Sequence, residues 1–312
     1  MNKFTKLGLF TLLLATVVFS SCKKDYETIE SVDDAAIKAY ISKNNLTQMI
    51  PDPDKTGFYY QTTNPTDGTF FLNPDSVLYD VTVKSMNDGT SYLQPSPNGN
   101  QGNYVGYLNS FSDPRLSSLT FNIPAIRTAV LGLKPGGSAR VLLPSYLAFG
   151  KNGVGFIPSN ENLDLIVKTY TYRKQWLFDD DKIKSFLTTK GLTATKDASR
   201  IYYIVSSLGT GKSIDPEVST VVINYTGRFL DGSSFDSNTA GTFSTVLSST
   251  AALIQGWKIL IPKFPAGTKL RMFIPSDLAY GPSGSRDSAT GLYVIPRNAV
   301  LDFDIEIVSV TD

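Results

Sequence analysis

The 312-residue chain contains no histidine. That absence removes His-dependent triads, imidazole acid–base chemistry and His-ligated zinc or iron. A single cysteine rules out an intramolecular disulfide and thiolate metal clusters. There is no excess of charge either: Lys+Arg 29 stand against Asp+Glu 28. A protein that tracks a nucleic-acid backbone needs clustered Lys and Arg, so no nucleic-acid partner is expected. Neither a metal nor an organic cofactor is called for. Any chemistry must come from carboxylates, hydroxyls, backbone dipoles or apolar shape. With 41% hydrophobic and 18% charged residues, the composition is that of a soluble globular chain with core enough for two modest domains.

At the amino terminus Lys3 and Lys6 precede a short apolar run from Leu7 to Phe19 and the small pair Ser20-Ser21. The layout reads as an export signal over residues 1–21, too short for a comfortable spanning helix. Because it ends on Cys22, it resembles a bacterial lipoprotein signal, in which that cysteine is lipidated and becomes the first mature residue. The alternative is an ordinary export signal with an incidental cysteine. Polar residues 22–30 read as a tether. The resemblance implies a lipid anchor at Cys22 and a place in the bacterial cell envelope, at the outer membrane, with periplasmic face and cell surface both open.

The remainder is organised by a duplication. Asp33 to Ile41 matches Asp179 to Leu187, and both continue to a leucine, Leu46 and Leu192. In each copy aspartates suited to capping precede apolar residues at i, i+3 and i+4 (Ile37, Tyr40, Ile41; Ile183, Phe186, Leu187), which predicts a short amphipathic helix. Tyr59-Tyr60 then pairs with Tyr202-Tyr203, and the turn Asp88-Gly89 with Asp231-Gly232. Further on, Leu142 to Gly150 pairs with Phe273 to Gly281, and Phe156 to Pro158 with Val294 to Pro296. Each copy closes on an alternating apolar strand, at Leu163 to Val167 and Leu301 to Ile307. Short strands punctuated by Gly and Pro outnumber helices, so the class is α+β. The boundary falls near Tyr172 to Trp176, giving units at 31–171 and 172–312.

Two motifs are set aside. Gly209-Thr210-Gly211-Lys212-Ser213 looks like the end of a phosphate-binding loop, but Ser206 stands where a glycine is wanted and Ile214-Asp215-Pro216 points to extended chain rather than a helix. Asp179-Asp180-Asp181 lacks the spacing of a calcium loop and reads as solvated capping charge.

In the second copy Asn224-Tyr225-Thr226-Gly227 precedes Asp231-Gly232 and Phe235-Asp236-Ser237. Phe243, Leu253-Ile254-Gln255-Gly256-Trp257, Ala279-Tyr280-Gly281 and Val294-Ile295-Pro296 follow in that order. Together these blocks resemble the FKBP-type peptidyl-prolyl isomerase family. The resemblance implies two FKBP-like domains, each a curved antiparallel sheet wrapped on a short helix and preceded by another. In the second, a helix starts near Trp257. It further implies catalytic roles for Tyr225, Phe235, Asp236, Trp257 and Tyr280. Trp257 would be the floor under a prolyl ring, Asp236 an orienting carboxylate, and the Tyr280 hydroxyl a donor to the substrate chain. Phe243, Leu253, Ile254, Val294, Ile295 and Phe303 would complete substrate binding. Reading these aromatics as plain core fits some of them, yet buried phenol and indole groups need partners.

Two departures stand out. Thr245 occupies a position where a second aromatic is expected, and the stretch Ser283 to Leu292 is long and would border the pocket. Aligned through the repeat, Tyr225 falls on Thr82 (or Val83 with a shorter turn), Phe235 on Tyr92, Asp236 on Leu93, Trp257 on Ile126 and Tyr280 on Phe149. Most of the polar groups are gone, so the first copy is expected to keep the fold without the isomerase pocket. The leading expectation is an isomerase acting on proline-containing polypeptides or unfolded exported proteins. The alternatives are a non-catalytic, peptide-binding or chaperone-like envelope lipoprotein, and a glycan-binding surface protein. Oligomeric state is not legible.

Overall fold

The computed structural model describes residues 27–312. The expected signal, Cys22 and all but the end of the expected tether lie outside the described residues. In chain order the elements are α1 (Ile29–Lys43), β1 (Ile50–Pro51), β2 (Tyr59–Asn64), β3 (Ser76–Ser85), β4 (Ser91–Leu93), β5 (Gln101–Tyr104), β6 (Ser110–Phe111), β7 (Phe121–Asn122), α2 (Pro124–Leu131), β8 (Ser138–Leu143) and β9 (Leu163–Thr169). There follow α3 (Gln175–Thr189), β10 (Thr195–Lys196), β11 (Tyr202–Ser207), β12 (Thr220–Phe229), β13 (Ser234–Asn238), β14 (Ser244–Val246), α4 (Gln255–Leu260), β15 (Lys269–Ile274), β16 (Ser285–Arg286), β17 (Tyr293–Ile295) and β18 (Leu301–Thr311). The class is α+β with antiparallel sheets and few helices.

Both large sheets follow the same path. One runs β1-β2-β8-β9-β3-β4 with β5 also on β3; the other runs β10-β11-β15-β18-β12-β13 with β14 also on β12. One face of each sheet covers a short helix. In the second sheet Val221, Ile223, Met272, Leu301, Phe303, Ile305 and Ile307 pack around Trp257 and Leu260 of α4. Gly256 makes that contact close, since a Cβ there would lie 2.6 Å from the Ile274 side chain. The opposite face holds a smaller cluster in which Ile183 and Leu187 of α3 meet Tyr202 and Phe273. The period-2 pattern of the strands thus feeds two apolar layers. Asp302, 1% exposed on β18, is neutralised by Arg271 through a paired contact at 2.8 and 2.6 Å. Asp164 and Arg140 repeat the arrangement in the first sheet.

The helices start earlier than their aspartates indicate. Asp33 and Asp179 are not caps; each stands in the second turn of its helix and is buried, at 2% and 0% exposure. Thr28 caps α1, and Lys174 precedes α3 without a side-chain cap bond. The carboxylates instead bind the turn after the central strand. Asp33 Oδ2 accepts from the Ser145 N–H (2.9 Å) and hydroxyl (2.7 Å). Asp179 Oδ2 accepts from the Ser276 N–H (2.8 Å) and hydroxyl (2.6 Å). Burial pushes the Asp179 carboxyl above its ordinary value, against the pull of those bonds. Asp180 is not free solvated charge either. Despite partial burial, bonds from Lys184, Lys196 and Tyr202 hold it down to about 2. The glycine string at 209–213 lies in a loop, where Gly211 N–H donates to Ala266 O and Lys212 O accepts from Ala266 N–H, and the next element is a strand.

Candidate active site

Strand pairing aligns the two copies residue by residue. Phe273 faces Asp302 as Leu142 faces Asp164, and Arg228 faces Asp302 as Lys84 faces Asp164. Tyr225, opposite Ile305, therefore corresponds to Val81, opposite Val167, and not to Thr82 or Val83. The slip arises in the hairpin. Ser85 N–H reaches across to Thr90 O, whereas Phe229 N–H reaches only to Ser233 O, so the first copy's turn is one residue longer. The other pairs fall as expected: Phe235 with Tyr92 and Asp236 with Leu93 by register, Trp257 with Ile126 and Tyr280 with Phe149 by element position.

In the second copy β12 carries Tyr225, β13 carries Phe235 and Asp236, and the approach to β14 carries Phe243. Leu253 and Ile254 lead into α4, Trp257 is its third residue, Tyr280 follows the turn after β15, and Phe303 stands near the start of β18. These residues surround one pocket of about 430 Å³. Tyr225 lies edge-on to Phe243 (5.4 Å between centroids) and to Trp257 (5.1 Å). Phe303 meets Trp257 at 5.3 Å and Phe235 at 5.6 Å in the same manner. Gly227 makes room for this cage, because a Cβ there would sit 2.6 Å from the Phe235 ring and 2.7 Å from Phe303. Edge-to-face rings fix one another's orientation and leave a rigid concave wall.

Polar groups sit at two depths. Asp236 is exposed on the rim and accepts from the Tyr225 hydroxyl at 2.8 Å. Burial, reinforced by that bond and by the carboxylate charge, pushes the Tyr225 phenol up to about 12. Tyr280, 40% exposed, is raised first by burial and then by the charge of Asp236. The carboxylate field therefore reaches both phenols. At the bottom, Trp257 is 4% exposed and its indole Nε1 is buried without a hydrogen-bond partner among the described residues. An unsatisfied buried donor of this kind costs about 1–3 kcal/mol.

Some expected contributors stand elsewhere. Ile295 is buried and pairs with Ser285 in the β16–β17 hairpin, and Val294 is exposed; neither lines the pocket. Thr245 pairs with Val221 and its hydroxyl donates to Val246 O, away from the pocket lining. The stretch Ser283 to Leu292 contributes no lining residue either; Leu292 and Tyr293 face residues 94–101 of the first copy. Ala252, Gln255 and Ala279 complete the lining; the last two stand in the motif blocks without an assigned role, and Ala252 stands in none. Gly227 was legible only as a glycine inside a strand pattern, a sign of close approach.

The first copy carries apolar groups at the equivalent places. Leu93 replaces the carboxylate and is 2% exposed, Val81 replaces the phenol, and Phe121 packs edge-on against Phe149 at 4.8 Å.

The chain matches the family described as FKBP-type peptidyl-prolyl cis-trans isomerase over residues 212–308. FK506-binding protein 1 of Candida glabrata is 39% identical over 105 residues, covering 33% of this chain and 87% of that one. The FKBP-type peptidyl-prolyl cis-trans isomerase FkpA of Aeromonas hydrophila is 35% identical over 123 residues, but the match spans only 41% of its length and 39% of this chain. A solved peptidyl-prolyl cis-trans isomerase of Pseudomonas syringae pv. tomato is 28% identical with a TM-score of 0.35, covering 44% of this chain and 96% of that one. On the match that runs through 87% of a relative at 39% identity, this chain belongs to the FKBP-type peptidyl-prolyl cis-trans isomerase family.

Proposed function

We propose that the second copy accelerates cis/trans exchange at X-Pro bonds of polypeptides and that the pocket around Trp257 is where it does so. The observation that carries this reading is the cage of Tyr225, Phe243, Trp257 and Phe303 with the Asp236 carboxylate bonded to its rim. Rotation about a peptide bond meets a barrier of about 18–20 kcal/mol because twisting breaks amide resonance. No proton or nucleophile has to be supplied, which suits a chain without histidine. Planar amide carries charge on its oxygen and the twisted amide loses it, so an apolar enclosure penalises the ground state more than the transition state. Trp257 supports the prolyl ring. Asp236 fixes the Tyr225 phenol by accepting its proton bond and directs its field at the carbonyl that turns. Tyr280 donates to the substrate chain at the edge.

The division into units at 31–171 and 172–312 is supported by two separate main cores, one drawn from residues 58–167 and one from 201–310. The first unit is a fold without the pocket's polar groups. Lipid attachment at Cys22 and service to exported proteins in the bacterial envelope complete the proposal. They are supported by the signal-like amino terminus, and a labelled fatty acid should be incorporated by the wild type and not by Cys22→Ser.

The deciding experiment is a panel of proline-containing tetrapeptides with the full chain and with Asp236→Leu, Tyr225→Val and Trp257→Ile, the residues that the first copy carries. Each variant should lose at least about tenfold in kcat/KM, or about 1.4 kcal/mol of transition-state stabilisation, while keeping its far-ultraviolet circular dichroism. A wild type that speeds no tested peptide yet suppresses client aggregation would replace the enzyme by a peptide-binding module.

A further inference from the structure

Part of the pocket's rim is held by the other half of the chain. Asn100, 4% exposed just before β5, donates its backbone N–H to Arg297 O at 3.1 Å, and its own carbonyl accepts from Asn298 Nδ2 at 3.1 Å. The Asn100 side chain exchanges two bonds with Gln175, Nδ2 to Oε1 at 2.9 Å and Nε2 to Oδ1 at 3.2 Å. Gln175 Nε2 also donates to Asp179 Oδ1 at 2.8 Å, and Asp179 in turn holds Ser276. Ser276 opens the turn Ser276–Leu278 that delivers Ala279 and Tyr280 to the pocket. On the other arm, Asn298 N–H donates to Gly281 O at 2.8 Å. Both arms starting at Asn100 therefore end on residues flanking Tyr280. The backbones themselves touch, since a Cβ on Gly99 would lie 2.4 Å from Arg297 O and 2.7 Å from Pro296 Cβ.

The duplication supplies the comparison. Asn160 holds the place of Asn298, with φ 55 at both and its N–H donating to Gly150 O, yet Asn160 is exposed. Ile29 holds the place of Gln175 and is 37% exposed. The shared scaffold does not require buried amides at these two positions. In the second copy they are buried or half-buried and aimed at Asn100, where each finds the partner that burial demands.

We infer that Asn100 is a positioning residue for the candidate active site: through Gln175, Asp179 and Ser276 on one arm and Asn298 on the other, the first copy sets the place of Tyr280 and of the segment 294–298. The inference rests on the reading that this pocket binds X-Pro segments. Misplacing a substrate-positioning group by about 1 Å can cost about a hundredfold, so loss of either arm is felt at the rim while the Trp257 floor and the Tyr225–Asp236 pair stay intact.

The test uses the full chain with Asn100→Ala and with Asn298→Gly, the latter keeping the left-handed backbone while deleting the amide. Steady-state kcat and KM on a proline tetrapeptide are measured together with hydrogen–deuterium exchange of residues 279–284 and 294–298. KM should rise about 5- to 20-fold with kcat within about twofold, because binding geometry changes and the groups at the twisting bond do not. Exchange in those two segments should quicken by about tenfold or more while β12 and β18 are unchanged. Asn98→Ala, which removes the 2.7 Å contact to Asp231 elsewhere between the halves, should leave both readouts at wild-type values. Wild-type KM together with wild-type exchange in both arms overturns the inference. If the wild type itself has no isomerase activity, the functional reading falls and exchange alone decides: quickened segments uphold the positioning role, and unchanged ones end it. Should Asn100→Ala fail to fold, Asn298→Gly decides by the same two readouts.

Discussion

At the scale of single residues, the pocket depends as much on what is missing from a side chain as on what is present. Gly227 lets Phe235 and Phe303 close over β12, so Gly227→Ala forces both rings aside. Overpacking of this kind costs about 1–3 kcal/mol, and the variant should melt lower and bind proline peptides more weakly, as calorimetry would record. The Tyr225 phenol, pushed up to about 12, stays protonated across neutral and moderately alkaline pH and keeps donating to Asp236. The isomerase rate should therefore show no step attributable to that group between pH 6 and 10. Tyr225→Phe, which removes the donor and keeps the ring, should lower kcat more than it raises KM. The roles proposed for Tyr225, Asp236 and Trp257 came from the resemblance of their motif blocks to the FKBP-type family, not from composition or spacing. From either copy alone the burial of Asp33 or Asp179 was not legible, because an aspartate near a helix start reads first as a cap.

Among the elements, the two leading helices owe their attachment to those aspartates. Each lies across the outer face of its sheet and is stapled to a serine after the central strand. Asp179→Ala takes away the acceptor of the buried Ser276 N–H and hydroxyl and leaves those neutral donors unsatisfied, so it should destabilise by about 1–3 kcal/mol in chemical denaturation. Ser276→Ala, which leaves the backbone N–H in place, should cost about 1–2 kcal/mol. The signal was there to be found: both copies keep the aspartate and a Pro-Ser pair in the same order, Asp33 with Pro144-Ser145 and Asp179 with Pro275-Ser276. The hairpin that misplaced Tyr225 teaches the complementary lesson. Asp88-Gly89 and Asp231-Gly232 look equivalent, but the chain takes one more residue to reach the first, and a strand's register follows the hydrogen bonds rather than the turn's composition.

Across the whole molecule, the duplication was visible from end to end because apolar spacing repeats, whereas the contact between copies was not. Asn100, Gln175 and Asn298 meet across as many as 198 positions of sequence, and no periodicity announces them. A second meeting point carries a pH dependence. Asp80 on β3 accepts from the Tyr170 hydroxyl and lies in the field of Lys168 and of Lys182 on α3. Burial outweighs these partners and raises its carboxyl from 3.8 to about 6. A folded value above the unfolded one means that Asp80 supports the fold fully below about pH 4 and loses that support as pH rises through 6. The difference is about 3 kcal/mol. Asp80→Asn should accordingly melt above the wild type at pH 8, and the gap should close as pH approaches 4.

Two sheets of one topology, the second with a cavity around Trp257 and the first with Val81, Leu93 and Ile126 where the phenol, carboxylate and indole would stand, give the polypeptide its own built-in blank. A probe installed at twin sites, one in each copy, is read in the same tube, at the same concentration and on the same scaffold. Whatever the second member reports beyond its apolar sibling belongs to the phenol, carboxylate and indole rather than to the architecture.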